Sequence, residues 1–158
     1  MTDILSVCNL INLGAAAKYF NGNYGAAADM VKSMADIIVA ATGSLEETGV
    51  EELLVCYDSV RELPAPTIDK PDTDVTIAFS DSSGLHIKLP VSINGKIYDF
   101  IFDTGASSSL ITSEIATEIG AQSVGEPIFV GGATGGGYLE RALIERMDVG
   151  PITLRKVL

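Results

Sequence analysis

The sequence predicts an α+β protein, in which a helical hairpin or three-helix segment is followed by a mainly β part. Two patterns predict this class. Up to about residue 62 apolar side chains recur at helical spacing, whereas after Asp74 apolar and polar residues alternate with the period of two that strands require. A polar stretch with three prolines separates the two patterns and is typical of a semi-rigid linker. We therefore expect a helical domain at 1–63, a linker at 64–74 and a second domain at 75–158.

Three helices are predicted in the first domain. The first covers the apolar residues from Ile4 to Leu13, the second ends near Gly43, and the third runs from about Glu46 to Leu63. An acidic first turn favours the third helix, because carboxylates are stabilised at the positive end of a helix dipole. One further pattern in this domain consists of Leu13, Gly14, Gly22, Asn23, Tyr24 and Ala27, with glycine and alanine at the expected helix contacts. This pattern resembles one tetratricopeptide-like helical hairpin near residues 13–38.

The alternating pattern in the second domain predicts three strands, at Val75–Phe79, His86–Ile93 and Lys96–Phe102. Asn94 and Gly95 join the last two strands. An Asn-Gly pair is the strongest short signal for a β-hairpin, because both turn positions need a positive φ. One helix is expected at Thr112–Ile119, with Thr112 or Ser113 as its cap.

The formal net charge of −11 is concentrated in the first half of the chain, since residues 1–74 hold 12 acidic and 4 basic side chains. An acidic surface repels phosphate backbones, so no nucleic acid partner is expected. The sequence contains no run of 18 apolar residues, and no membrane span is expected. The first residues lack the features of a signal peptide. The compartment stays unknown: cytoplasmic if this is the native N-terminus, exported if an upstream signal was removed.

The residues that most often hold metals are few. Cys8 and Cys56 match no metal-ligand spacing, and a disulfide between them stays open. His86 has no Cys or His nearby and is interpreted as a strand residue. The Gly-rich run at 131–137 lacks the Gly-Lys-Ser or Gly-Lys-Thr of a phosphate loop, and no convincing helix follows it. We therefore expect no metal and no cofactor.

An acidic residue directly follows an apolar strand in Ile101-Phe102-Asp103-Thr104-Gly105. A carboxylate in that position is expected to be partly desolvated, which suits it to proton exchange. Gly105 permits a sharp turn beneath it, the Thr104 hydroxyl can hold the turn, and Ser107 can hydrogen-bond the acid. The alternative interpretation is a structural turn in which Asp103 only caps the following loop.

The segment from Ile101 to Ile111, with Asp-Thr-Gly-Ala-Ser-Ser-Ser and then Leu-Ile, resembles the active-site loop of the retropepsin-like aspartic peptidases. The Asn-Gly hairpin before it is similar too, and the resemblance covers about 85–158. It implies half of an acid-protease barrel, with Asp103 as the catalytic carboxylate. The implied active-site loop is Thr104, Gly105, Ala106 and Ser107. The implied substrate-binding flap, a mobile Gly-rich hairpin, is Val130, Gly131, Gly132, Ala133, Thr134, Gly135, Gly136, Gly137 and Tyr138.

The resemblance implies an endopeptidase mechanism in which two carboxylates share one proton around a water molecule. This chain has one Asp-Thr-Gly, so a homodimer is implied, with Asp103 facing its mate across a two-fold axis. The implied substrate is an extended polypeptide, and no cofactor is implied.

One departure from the family leaves two further functions open. Family members carry a second signature, two apolar residues and a glycine, which supports the active-site loop; none follows Val157-Leu158, so we expect a truncated family domain. The first alternative function is a catalytically silent protease-like module for dimerisation or peptide binding. The second is a helical adaptor that binds a partner through residues 3–62.

Overall fold

The protein is described by a computed structural model that covers residues 4–81, 84, 86–106, 108–132 and 135–158. Its elements confirm the predicted α+β class. The helices are α1 Ile4–Phe20, α2 Tyr24–Thr42, α3 Val50–Asp58 and α4 Ser113–Ile119. The strands are β1 Thr67–Asp69, β2 Lys88–Ile93, β3 Lys96–Ile101, β4 Gln122–Ser123, β5 Ile128–Gly132, β6 Gly135–Leu139, β7 Ala142–Val149 and β8 Ile152–Val157. Within the residues described, no helix has both the length and the apolar character needed to cross a bilayer.

The chain divides into two compact units. The first consists of Met1–Ala65 and Val124–Arg141, and the second of Pro66–Ser123 and Ala142–Leu158. The chain therefore leaves the second unit after Ser123 and returns to it at Ala142. The domain boundaries at 1–63, 64–74 and 75–158 stay a prediction.

In the first unit, α1 and α2 form a helical hairpin around a turn at residues 21–23. Asn23 caps α2, because its side-chain oxygen accepts a hydrogen bond from the Ala26 N–H at 3.3 Å. The helices bury a small apolar core with α3: Ala15, Val31, Met34, Ala35 and Val50. Both cysteine thiols are free, and Cys8 packs against this core.

Helix α3 is shorter than predicted, so the expected range from Glu46 to Leu63 was wrong at both ends. Gly49 takes the left-handed conformation (φ 71°) directly before the helix, and the Thr48 hydroxyl accepts a hydrogen bond from the Val50 N–H. The helix can begin only after this turn. Glu51 and Glu52 supply its acidic first turn.

The second unit is built on an antiparallel sheet with strand order β1-β8-β7-β2-β3, and β4 pairs with β7. The hairpin of β2 and β3 turns at Asn94 (φ 50°) and Gly95 (φ 85°), which confirms the predicted turn. Val91 and Ile93 of β2 pack with Ile144 and other residues of β7 in the buried core of this unit. Strand β3 lies at the edge of the sheet, and Phe102 separates its last residue from the candidate catalytic Asp103.

The predicted strand at Val75–Phe79 does not form. Its alternation reflects packing instead: Ile77 lies against the turn at Gly150, where an added Cβ would come within 3.1 Å of the Ile77 side chain. A strand forms earlier, at Thr67–Asp69 inside the predicted linker, and pairs with β8. A period of two thus identified a half-buried extended segment, but it could not say which segment finds a hydrogen-bonding partner.

Candidate active site

Strand β3 delivers the candidate catalytic carboxylate to an edge of the second unit. Tyr98 and Phe100 point to the core, while Ile97 and Ile101 on the other face are exposed. The Phe102 N–H donates to the Ile87 carbonyl at 2.8 Å and fixes the end of the strand. Asp103 is the next residue, so its position is set by a paired strand.

The loop folds back on the Asp103 carboxylate. The Gly105 N–H donates to Asp103 Oδ1 at 2.8 Å, and the Ala106 N–H donates to the Asp103 carbonyl at 3.3 Å. A Cβ on Gly105 would lie 3.3 Å from Asp103 Oδ1, closer than most such contacts, so glycine allows the loop to approach the carboxylate. Thr104 and Ala106 complete this short turn, and Ser107 lies outside the described residues.

Asp103 is exposed in the single chain, and the expected partial desolvation is therefore not found there. The cause is its place after an edge strand, since the described residues of this unit form no further strand beside β3. Large apolar residues near Asp103 in the sequence are exposed as well: Ile101 and Phe102 are each 55% exposed, and Leu110, further along the segment, is 62% exposed. Adjacent exposed apolar side chains such as Ile101 and Phe102 are typical of surfaces that bind another molecule.

Helix α4 supports β3 from the other end of the loop. Thr112 caps the helix by accepting a hydrogen bond from the Ile115 N–H, as predicted. Glu118 accepts hydrogen bonds from Lys96 Nζ at 2.8 Å and from the Tyr98 hydroxyl at 3.0 Å. The Lys96 bond, followed by the Tyr98 bond, holds the pKa of Glu118 below its ordinary value. The segment from Phe102 to Thr112 therefore runs between two elements that are tied together.

The Gly-rich hairpin consists of β5 and β6, which pair from Ile128↔Leu139 to Gly132↔Gly135. Phe129 and Tyr138 face each other across it, with ring centroids 5.6 Å apart and exposures of 65% and 77%. Ala133 and Thr134 lie outside the described residues. The hairpin belongs to the first unit and Asp103 to the second.

Sequence analysis did not identify Arg141, which ends the hairpin segment and is only 7% exposed. Its partners Cys56 and Ser59 are more than 80 residues away along the chain, so no local pattern pointed to the contact. Among the described residues, no group of three or more His, Cys, Asp or Glu side chains could hold a metal ion.

Comparison with protein families gives one match: residues 89–158 fit the family described as "gag-polyprotein putative aspartyl protease". No curated protein and no solved structure matches the chain significantly. The matched segment contains β2 except for its first residue, together with β3, the Asp103 loop and the Gly-rich hairpin. The predicted resemblance to the retropepsin-like aspartic peptidases is therefore confirmed for residues 89–158, which are an aspartyl-protease-like segment of this chain.

Proposed function

We propose that the chain is an aspartic endopeptidase that hydrolyses peptide bonds as a homodimer, with Asp103 of each copy holding the attacking water. The observation that carries this proposal is the Asp103 loop itself. An exposed carboxylate follows a fixed strand end, a backbone N–H orients it, and large exposed apolar side chains flank it. The family match over residues 89–158 supports the same chemistry.

The need for two copies follows from the chemistry of paired carboxylates. Two carboxyl groups about 3 Å apart cannot both ionise, so one stays protonated and the other is the base. The chain has one Asp-Thr-Gly, and a two-fold axis through the site would supply the second carboxylate. The pair then titrates with two apparent pKa values that belong to both groups together.

The proposed reaction begins with a water molecule between the two Asp103 carboxyl groups. The ionised group takes a proton from the water as its oxygen attacks the peptide carbonyl carbon, and the protonated group donates its proton to the carbonyl oxygen. A tetrahedral diol results. Its C–N bond then breaks as a proton passes to the leaving nitrogen, which gives a carboxylic acid and an amine.

The apolar surroundings of the loop favour a dimer over a single active chain. Ile101, Phe102 and Leu110 would lose solvent on pairing, and burial of apolar surface stabilises association by about 25 cal/mol per Å² before the costs of binding are subtracted. Pairing would also remove water from Asp103, which supplies the desolvation that the single chain lacks.

The substrate in this proposal is an extended polypeptide with apolar side chains beside the scissile bond. We propose that Thr104, Gly105, Ala106 and Ser107 hold the carboxylate from below. The hairpin from Val130 to Tyr138 is the proposed flap that covers the substrate. Its exposed Phe129–Tyr138 pair offers an apolar surface to such side chains.

The alternative function is a protease-like dimerisation or peptide-binding module without turnover. The exposed apolar residues around Asp103 would serve such a module equally well, because they need no chemistry. The two functions differ in what they require of Asp103. The enzyme needs a carboxyl group that can ionise, whereas the module needs only a side chain of that size.

The test compares Asp103→Asn with a matched control, Asp99→Asn. Asp99 is an exposed aspartate on β3, four positions before Asp103 in the sequence. Cleavage of an unstructured polypeptide is followed by mass spectrometry from acid to neutral pH, and dimerisation by sedimentation. We expect the unmodified chain and Asp99→Asn to cleave with a bell-shaped pH profile, and Asp103→Asn to lose about 10³-fold in rate while still forming dimers. Dimers without cleavage at any pH in the unmodified chain would favour the silent module.

A further inference from the structure

The Gly-rich hairpin is closed at its base by the backbone. The Val124 N–H donates to the Arg141 carbonyl at 2.8 Å, so the two ends of the segment 124–141 lie side by side. We call this pair of residues the neck of the hairpin, and strands β5 and β6 lie beyond it. Whatever fixes the neck therefore sets where the hairpin tip can move.

The Arg141 side chain joins this neck to the end of helix α3. Its Nη1 donates to the Cys56 carbonyl at 2.9 Å, and its Nη2 donates to the Ser59 hydroxyl at 2.7 Å. A third bond, from Nη2 to the Glu126 carbonyl at 3.3 Å, stays within the hairpin segment. Carbonyls in the last turn of a helix lack intrahelical donors and carry partial negative charge, so a guanidinium is a favourable partner there.

Gly125 shows how closely the neck approaches this contact. It adopts φ +67°, and a Cβ at this position would lie 2.4 Å from Arg141 Nη2 and 2.5 Å from the Ser59 hydroxyl. Only glycine fits both the backbone conformation and the space. The hairpin backbone is thus pressed against the joint between Arg141 and α3.

The Arg141 guanidinium is positively charged, whereas the carbonyl and hydroxyl oxygens that accept its hydrogen bonds are neutral. No carboxylate in the described part of the chain pairs with Arg141, and its buried Nε has no hydrogen-bond partner there. A buried charge without a counter-ion gains less over water than a paired one, so the joint is specific in geometry and modest in strength. Such a joint holds the neck and can still be released when α3 moves.

We infer that Arg141 is a positioning residue that ties the Gly-rich hairpin to the N-terminal helices, so that α3 controls the placement of the proposed flap. This inference rests on the proposed function for its effect on catalysis, although the joint itself does not depend on it. Arg141 acts through the hairpin and touches no reacting group. Its loss should weaken the hold on substrate and leave the carboxylate chemistry unchanged.

Amide hydrogen exchange on the full chain tests the joint without any assay of activity. Arg141→Lys keeps the charge but replaces the fork that reaches two acceptors of α3, and Ser59→Ala removes one acceptor. We expect exchange to rise several-fold in residues 124–141 and at the end of α3, more in Arg141→Lys than in Ser59→Ala. Strands β2, β3 and β8 of the second unit should exchange as before.

Two results would overturn the joint. One is unchanged exchange in residues 124–141 in both variants. The other is an equal rise in both units, since that would mean a general loss of stability with no specific hold on the hairpin. Should Arg141→Lys fail to fold, Ser59→Ala decides from the exchange of residues 124–141 alone, because it also removes the bond from the Ser59 hydroxyl to the Cys56 carbonyl at the end of α3, while the Arg141 bond to that carbonyl stays in place.

Steady-state kinetics then separates positioning from a purely structural role. We expect Arg141→Lys to raise KM roughly fivefold with kcat and both limbs of the pH profile little changed, because hairpin placement governs substrate binding. A fall in apparent kcat at constant KM would indicate only a loss of folded enzyme and would reject the positioning role. If the unmodified chain shows no cleavage, the proposed function fails, and the exchange measurement still decides the joint.

Discussion

Asp103 and Arg141 are both charged, yet their surroundings are opposite. Arg141 is buried, and its guanidinium donates three hydrogen bonds within the first unit. Asp103 is exposed in the second unit, where its carboxylate accepts a hydrogen bond from the Gly105 N–H and the preceding Phe102 is exposed as well.

The contrast indicates which of the two charged groups has hydrogen-bond partners within one chain. The two terminal nitrogens of Arg141 bond to acceptors of the first unit, although its buried Nε has no partner in the described part of the chain. Asp103 has an oriented carboxylate and exposed apolar side chains near it in the sequence, and the proposed chemistry would take its second carboxylate from another copy. Substitutions at the two sites test this contrast.

The largest expected effect on stability comes from removing the buried cation. Arg141→Met keeps most of the side-chain volume but removes the guanidinium bonds to the Cys56 carbonyl and the Ser59 hydroxyl. We expect the free energy of unfolding to fall by about 2 kcal/mol. Denaturant titration followed by the helical circular dichroism signal measures it. The control is Arg155→Met at an exposed arginine of β8. An equal loss of unfolding free energy in the control would contradict a specific contribution of the Arg141 hydrogen bonds to stability.

Next in size is the effect of the apolar rim on dimerisation. We expect Phe102→Gln to weaken the homodimer about tenfold, because a large apolar side chain would leave the interface. Leu10→Gln is the matched control: Leu10 is similarly exposed, at 69%, and lies on α1 of the other unit. Sedimentation over a range of concentrations measures both. An equal effect of the two substitutions would show that the rim of Asp103 is no special surface.

A smaller effect is expected from crowding the carboxylate. Gly105→Ala would place a Cβ 3.3 Å from Asp103 Oδ1 and displace the carboxylate by a few tenths of an ångström. We expect kcat to fall roughly fivefold with dimerisation unchanged, since catalysis is sensitive to small misplacements. Gly84→Ala is the control, because a Cβ there meets nothing within 4 Å. A rate equal to that of the control would contradict the orienting role of the loop.

The smallest effect concerns the hydrogen bonds from Lys96 and Tyr98 of β3 to Glu118 of α4. The pKa of Glu118 is lowered in the folded state, chiefly by the Lys96 bond, so its contribution to stability is present above the unfolded value of about 4.3 and is lost as the pH falls through the folded value. We therefore expect Glu118→Gln to lower the denaturation midpoint slightly at pH 7 and less in acid. A double-mutant cycle with Lys96→Met isolates the pair. A difference that grows in acid would have the wrong sign.

The features that sequence predicted correctly are those set by local chemistry. Asn94-Gly95 requires two positive φ angles, and Thr112 supplies a cap three residues before the N–H that it binds, so each is determined within a few residues. The Asp-Thr-Gly loop is equally local. Its role as a catalytic site stays a prediction.

The features that sequence missed depend on distant partners. Val75–Phe79 has the pattern of a strand, but β1 took the place beside β8. Arg141 meets an acceptor 85 residues away, so its burial could not be read from its neighbours. Long-range pairing also explains the exposure of Asp103: an apolar lead-in predicts burial, but β3 lies at the edge of the sheet formed by the described residues.

The most direct test of the central claim, that one catalytic site needs Asp103 from two chains, is a mixing experiment. Unmodified and Asp103→Asn chains are combined at a fixed total concentration and allowed to exchange partners, with Asp99→Asn as the control. When half of the chains carry the substitution, random pairing leaves about a quarter of the dimers with two Asp103 carboxylates. We expect cleavage to fall to about a quarter. A fall to only about a half would mean that each chain works alone and would contradict the shared site.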